Sequence, residues 1–377
     1  MGERLRTALR SLLHVGQQQG AHRVALRAGV SVLVPLLTVL ALGHPGWALY
    51  AVFGAFTSLY GRNHVHLSRA AMQASAGAAL TGSVVLGVLV GALEFRAWAA
   101  VPVAALVAAL GAVLAAAQDW HPPGPLFLVF GFGAAALVPH ALSDVPVAAA
   151  TAGLSALFAL VVGNVGGLLR REAGHPARSA DGRRRPARPS QGRSRPARSA
   201  DGISRPARPS QERSRPGRLA RVRGWEPARY ALAVALAGGV ATAVGIGHPY
   251  WAMVAAVAPL SAVGRTAQLV RAGHRVLGTL LGLLTSAALL APGFSAVTTV
   301  LVVAGLQIVT ELLVGRNYGL ALLFITPTAL LMGQLVQARP VGPLLFDRGV
   351  ETVIGAGIGV AIILGQPWLR RGTSAVD

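Results

Sequence analysis

Arginine, histidine and glutamate, placed at matching points of two apolar halves, are the residue types in this chain that could do chemistry. Arg271 and Arg275 stand one helical turn apart, and Arg265 opens the same run. At that spacing two guanidiniums share a helix face. Each presents a rigid fork of N–H donors that suits a carboxylate or phosphate. Arg62 follows a Gly-Arg step in the first half as Arg265 does in the second. Together these arginines would make a cationic vestibule on the cytoplasmic side that draws in an anion. Arginine at the cytoplasmic end of a span is equally a topology anchor whose head reaches the lipid headgroups.

Two turns carry histidine beside an indole: His44-Pro45-Gly46-Trp47 and His248-Pro249-Tyr250-Trp251. Proline starts a helix well and tryptophan suits the membrane interface, so the turns have a purely structural account. In a functional account His44 and His248 are protonatable gates at the outer face, and Trp47 and Trp251 stack aromatic cargo. Glu311, ahead of Arg316 and Asn317, is either a proton-coupling group or half of an interfacial ion pair. Glu351 follows Arg348 at an (i, i+3) spacing, which predicts a pair along one helix.

No catalytic constellation stands beside these groups. There is no Gly-x-Ser-x-Gly elbow, no Walker loop with its lysine and no His-Glu-x-x-His. Cysteine is absent, so neither a thiol nucleophile nor a cysteine metal site is available. The expectation is a protein that is not an enzyme, with no cofactor and no metal. Without an ATP site, any transport is passive or driven by an ion gradient.

The elements that must position these residues are apolar. Of 377 residues, 53% are hydrophobic and 12% charged, against about 25% charged in a soluble domain. The mean hydropathy is +0.57. Six apolar segments, near 24–42, 46–60, 70–91, 98–117, 125–142 and 146–168, are followed by six more near 228–246, 249–263, 272–291, 294–314, 317–336 and 349–366. Backbone in hydrocarbon must satisfy its own hydrogen bonds, so these runs are predicted helices. Pro35, Pro139, Pro259 and Pro327 within them suggest kinks or breaks, which in transporters often surround a site. The fold class is therefore all-α: a polytopic transmembrane helical protein of about twelve spans, built as two parallel six-helix repeats. The repeat shows in the two His-Pro-x-Trp turns, the Gly61-Arg62 and Gly264-Arg265 steps, and Arg69 opposite Arg271. An even number of spans per half implies a pseudo-two-fold axis along the membrane normal.

The predicted organisation is a basic amphipathic segment at 1–23, a first half at 24–169, a linker at 170–224, a second half at 225–369 and a tail at 370–377. The formal charge is +21, every basic residue is arginine, and about half of them fall in the linker. Residues 178–197 are followed by a near copy at 198–217, rich in Arg, Pro and Ser. A segment so poor in aliphatic residues cannot offset its ordering entropy by burial, so it is expected to be disordered, a tether drawn to anionic lipid rather than a specific nucleic-acid binder. The arginine distribution places both termini in the cytoplasm and the chain in the inner (plasma) membrane.

The stretch from His248 to Ala252, then Gly264-Arg265, then Arg271 to Gly282 with its R-x-x-G-T-x-x-G pattern, resembles the fusaric acid resistance (FUSC) family. That family is also described as the integral membrane bound transporter or aromatic acid exporter group. Arg316-Asn317-Tyr318 and the run from Asp347 to Gly355 add to the resemblance, which covers the second half well and the first half less. The motif residues by position are Trp251, Arg265, Arg271, Arg275, Gly278, Gly282, Asp347, Arg348 and Glu351. The resemblance implies efflux of small, often aromatic, carboxylic acids, with inward proton flow driving the cycle. The partners expected are thus a small organic anion, membrane lipid and a coupled proton. An anion channel on the same architecture and a non-transporting membrane scaffold are the alternatives.

Overall fold

The computed structural model describes residues 15–16, 21–61, 66–172 and 224–373. Most of the 1–23 segment, nearly all of the 170–224 linker, the last residues of the tail and Arg62 lie outside the described residues. Among those described there are twelve α-helices and no strand. The first half contributes α1 (Ala21–Ala41), α2 (Ala48–Ala55), α3 (His66–Gly91), α4 (Arg96–Ala117), α5 (Leu126–Ala136) and α6 (Asp144–Glu172). The second contributes α7 (Glu226–Val244), α8 (Tyr250–Leu260), α9 (Arg265–Leu290), α10 (Ala296–Leu313), α11 (Tyr318–Val336) and α12 (Val341–Thr373).

Nine of the described helices are long and apolar enough to cross a bilayer. The other three, α2, α5 and α8, are too short: an 11-residue helix such as α5 or α8 rises only about 16 Å, against a hydrocarbon core of about 30 Å. The reasons are local. The sequence predicts a run to residue 142 after α5, but the helix stops at Ala136 ahead of Pro139, which disfavours helical backbone before it. Pro35 and Pro327, by contrast, lie inside continuous helices. The stretch from Arg265 to Arg271 in α9 and the stretch from Val341 to Arg348 in α12 are helical too, so both helices start earlier than the apolar runs at 272 and 349 suggest.

The short helices are the most buried. Every residue of α8 from Trp251 to Leu260 is buried, and all but Leu49 in α2. A helix apolar all round belongs in a core, and these two fill it. The long helices surround them and leave leucines such as Leu110, Leu154, Leu236 and Leu284 exposed, as a lipid-facing surface requires. The chain is a multi-pass membrane protein.

The halves interlock. α1 packs on α10, and α7 packs on α4, so the first helix of each half lies against the fourth helix of the other. Within each half the third helix packs on the fifth and sixth, and the sixth covers the short second helix. Small residues allow this closeness. A side chain on Gly278 or Gly282 of α9 would meet the Gly319 or Leu322 carbonyl of α11 at 2.6 or 2.7 Å. One on Gly355 of α12 would run into the Ala252 carbonyl of α8, and one on Gly54 of α2 into the Ala152 carbonyl of α6. The glycines of the R-x-x-G-T-x-x-G pattern are therefore packing positions.

Candidate anion site between the halves

A cavity of about 370 Å³ opens where the two halves meet. Its lining follows α11 from Tyr318 to beyond Val336, a helix about 28 Å long. The two halves supply different chemistry. Phe53 and Phe56 of α2 and Phe127 and Phe130 of α5 make an aromatic wall from the first half. The rings meet edge to face, Phe53 to Phe130 at 4.9 Å and Phe56 to Phe127 at 5.3 Å, the arrangement that ring quadrupoles favour. Phe130 carries the wall into the second half, 4.8 Å from the Trp251 ring.

The charge comes from the second half. α9 presents Arg271 and Arg275 on one face, well inside the helix: Arg275 lies about 15 Å along it from Arg265. The Arg271 guanidinium stacks 4.2 Å from the Tyr318 ring, and Arg275 Nη1 donates to the Tyr318 hydroxyl at 3.2 Å. α12 presents Arg348, only 1% exposed, with its guanidinium 3.7 Å over the Trp251 ring. Nε and both Nη atoms of Arg348, and Nε and Nη2 of Arg275, are buried with no hydrogen-bond partner. A buried charge without its counter-charge costs several kcal/mol, so Arg271, Arg275 and Arg348, with Arg339 also in the lining, make the pocket strongly electropositive and rich in donors. The aromatic faces offset part of that cost by about 2 kcal/mol where desolvated.

Glu351 stands beside Arg348 rather than on it. Glu351, fully buried one turn beyond Arg348, makes no ion pair with it. Its Oε1 accepts the His248 backbone N–H at 2.8 Å, and its Oε2 has no partner. The (i, i+3) spacing alone predicts an Arg348–Glu351 pair; the structure instead turns the guanidinium across to α8, where the Trp251 face receives it. Glu311 of α10 also lines the cavity, buried, with Oε1 accepting from Gln307 at 3.3 Å.

The His248 turn forms one rim. His248 Nδ1 is 3.9 Å from Asp347 Oδ2. Burial, and after it the Arg339 and Arg348 charges, push the His248 imidazole down to about 4.

The structure gathers Arg271, Arg275, Trp251, His248 and Glu311 around one cavity, with Glu351 buried one turn from Arg348 and not itself in the lining. It does not bring in the rest. Arg265 is exposed at the start of α9, away from the cavity. His44 is exposed and stacks on Trp47, rings 4.0 Å apart, at the edge of a separate apolar groove between α1 and α6. The vestibule of Arg265, Arg271 and Arg275 is thus split: two members sit deep between helices and one stays at the surface. Arg69, the counterpart of Arg271, is a staple, donating to the carbonyls of Gly61 at 3.1 Å and Gly163 at 3.3 Å. Beyond Arg69, α3 carries no charged residue.

Sequence reasoning missed Arg348, Tyr318 and the four phenylalanines as site residues. Arg348 and Tyr318 stood in the motif stretches; nothing in the sequence marked the phenylalanines off from ordinary apolar spans.

No solved structure matches this chain. "Uncharacterized membrane protein YvaC" of Bacillus subtilis (strain 168) is 29% identical over 133 residues, 35% of this chain and 21% of that protein. The matched stretch thus spans about a fifth of that relative's length. Residues 234–362, which hold Trp251 and the four arginines that line the cavity, match the model of the family described as fusaric acid resistance protein-like, the family to which the motif residues of this half pointed.

Proposed function

We propose that this protein is a secondary transporter that exports small organic anions, aromatic carboxylates above all, across the inner membrane, with a proton coupled to the movement. Both termini face the cytoplasm in this reading, and the linker is a lipid-attracted tether with no specific nucleic-acid role. The observation that carries the proposal is the unpaired, fully buried Arg348 on the Trp251 face, beside Arg275 and opposite a phenylalanine wall. A carboxylate would take the free guanidinium N–H groups, and its ring would lie among Phe53, Phe130 and Trp251. The match to the fusaric acid resistance protein-like family supports a transport role.

The test is flux of radiolabelled benzoate and of aliphatic acids from loaded proteoliposomes, with and without an imposed pH gradient. Saturable flux that prefers the aromatic acid and is lost in Arg348→Gln supports the proposal. Absence of protein-dependent flux for every acid overturns it.

An anion channel is the second reading, and one observation favours it. The cavity lining runs the length of α11, about 28 Å, close to the thickness of the hydrocarbon core. Flux that only follows the anion's own electrochemical gradient, insensitive to pH, would select the channel.

A further inference from the structure

Glu351 and Arg348 share one turn of α12, both are buried, and neither is satisfied by the other. An ionised carboxylate that close to a guanidinium, with water excluded, would be expected to pair with it. The observed geometry instead suits a carboxyl group. Oε1 acts as acceptor for the His248 N–H at 2.8 Å, while Oε2 has the open position a proton would occupy. With Glu351 neutral, Arg348 is released to the Trp251 face and into the cavity.

We propose that the proton and the organic anion are carried together, the proton on Glu351 and the carboxylate on Arg348. This rests on the transport reading above and fixes the sign of its coupling. When Glu351 is ionised it takes Arg348, and the anion loses its principal partner. When Glu351 is protonated, an O–H bond of a hydronium ion breaks as one forms on Oε2, a water molecule is left, and Arg348 becomes available. Anion binding and proton binding thus favour each other, and by linkage each strengthens the other equally. The loaded site has gained one proton and one negative charge, so the step is electroneutral. Exchange of an outgoing anion for an incoming proton would require the opposite linkage. Export then runs down the acid's own gradient, each molecule leaving with a proton.

The groups around Glu351 are few. Asp347 and Arg348 face it from α12, His248 and Tyr250 from the turn into α8 and its first residue, and Arg339 from the connection between α11 and α12. Arg275 of α9 acts on Arg348. Asp347 faces His248 at the rim, so Glu351 is the carboxylate placed beside the free guanidinium.

The test uses the full chain in proteoliposomes with benzenesulfonate, which has no neutral form that could leak through lipid. Uptake of the radiolabelled anion and lumenal pH are followed together, with the membrane potential clamped by potassium and valinomycin. The expected result is lumenal acidification in step with uptake and little response of uptake to the potential. In Glu351→Gln, which keeps an oxygen acceptor for the His248 N–H, uptake should proceed without acidification and should follow the potential. Glu351→Asp should restore acidification at least in part. Uptake by the wild type with unchanged or rising lumenal pH overturns the coupling while leaving transport standing. No protein-dependent uptake of benzenesulfonate or benzoate overturns the transport reading, and the coupling with it.

Discussion

The guanidinium of Arg348 lies 3.7 Å over the ring of Trp251, on a helix other than its own. This contact joins α12 to α8 at the cavity wall, and it holds a charge in place without using any of its N–H groups. Binding capacity and stability are therefore opposed at Arg348.

Arg348→Gln should weaken binding of benzoate by roughly tenfold to a hundredfold, the value of hydrogen bonds to a charged group of about 1.5–3 kcal/mol. The same change removes an uncompensated buried charge, so thermal stability without substrate should be equal or higher. Arg348→Lys should recover little binding, because a point charge lacks the planar fork. Equilibrium binding and thermal unfolding in detergent, measured on the same samples, check both halves. A variant that loses stability and keeps affinity would make Arg348 a structural residue.

Trp251→Leu should narrow the preference for aromatic over aliphatic carboxylates by up to about tenfold, since an aromatic contact contributes about 0.5–1.5 kcal/mol beyond burial. Competition between benzoate and a branched aliphatic acid of similar size measures it. Equal loss for both acids would mean that Trp251 serves only to seat Arg348.

Gly355→Ala should destabilise the protein by about 1–3 kcal/mol, because its methyl group would run into the Ala252 backbone where α12 crosses α8. Gly357→Ala, two residues along on a side open to space, should be neutral or slightly stabilising through helix propensity. Thermal midpoints of the two variants should differ clearly, and equal midpoints would contradict the packing described here.

His248 contributes a pH dependence whose sign follows from its lowered value, about 4 against an ordinary 6.5. The unfolded chain takes up the proton first as pH falls, so stability declines between about pH 6.5 and pH 4. The shift corresponds to at most about 3 kcal/mol over that window. His248→Asn should therefore lose less stability than the wild type on acidification through this range, measured as thermal midpoints from pH 7 to pH 4. Parallel curves would place the histidine in water. The same value keeps His248 neutral near pH 7.

The all-helical, multi-pass character was legible in the sequence because long apolar runs and their breaks report helices in lipid directly, although three of the twelve described helices are too short to be the spans expected of them. The short helices were less so: α5 is flanked by apolar residues that continue past its end, and only Pro139 hints at the stop. Arg271, Arg275 and Trp251 could be named because their types and spacing suit an anion. Arg348 was read as a partner of Glu351, since spacing gives neighbours along a helix but not which way a long side chain turns. That choice depends on α8 lying close enough for Trp251 to receive the guanidinium, and the closeness depends on Gly355. The phenylalanines illustrate a further limit: an aromatic residue in a hydrophobic run looks the same whether it faces lipid, core or cavity.

The crossed packing of first and fourth helices has a consequence for how the protein is made. α1 is synthesised long before α10, and α4 before α7, so each completed first half waits in the bilayer with two faces whose partners do not yet exist. Folding of the halves is therefore not strictly sequential, and the early helices need lipid or an insertion factor to shield them meanwhile. Once both halves are present, the crossed faces clasp them together from both sides, independently of the chain that joins residue 172 to residue 224.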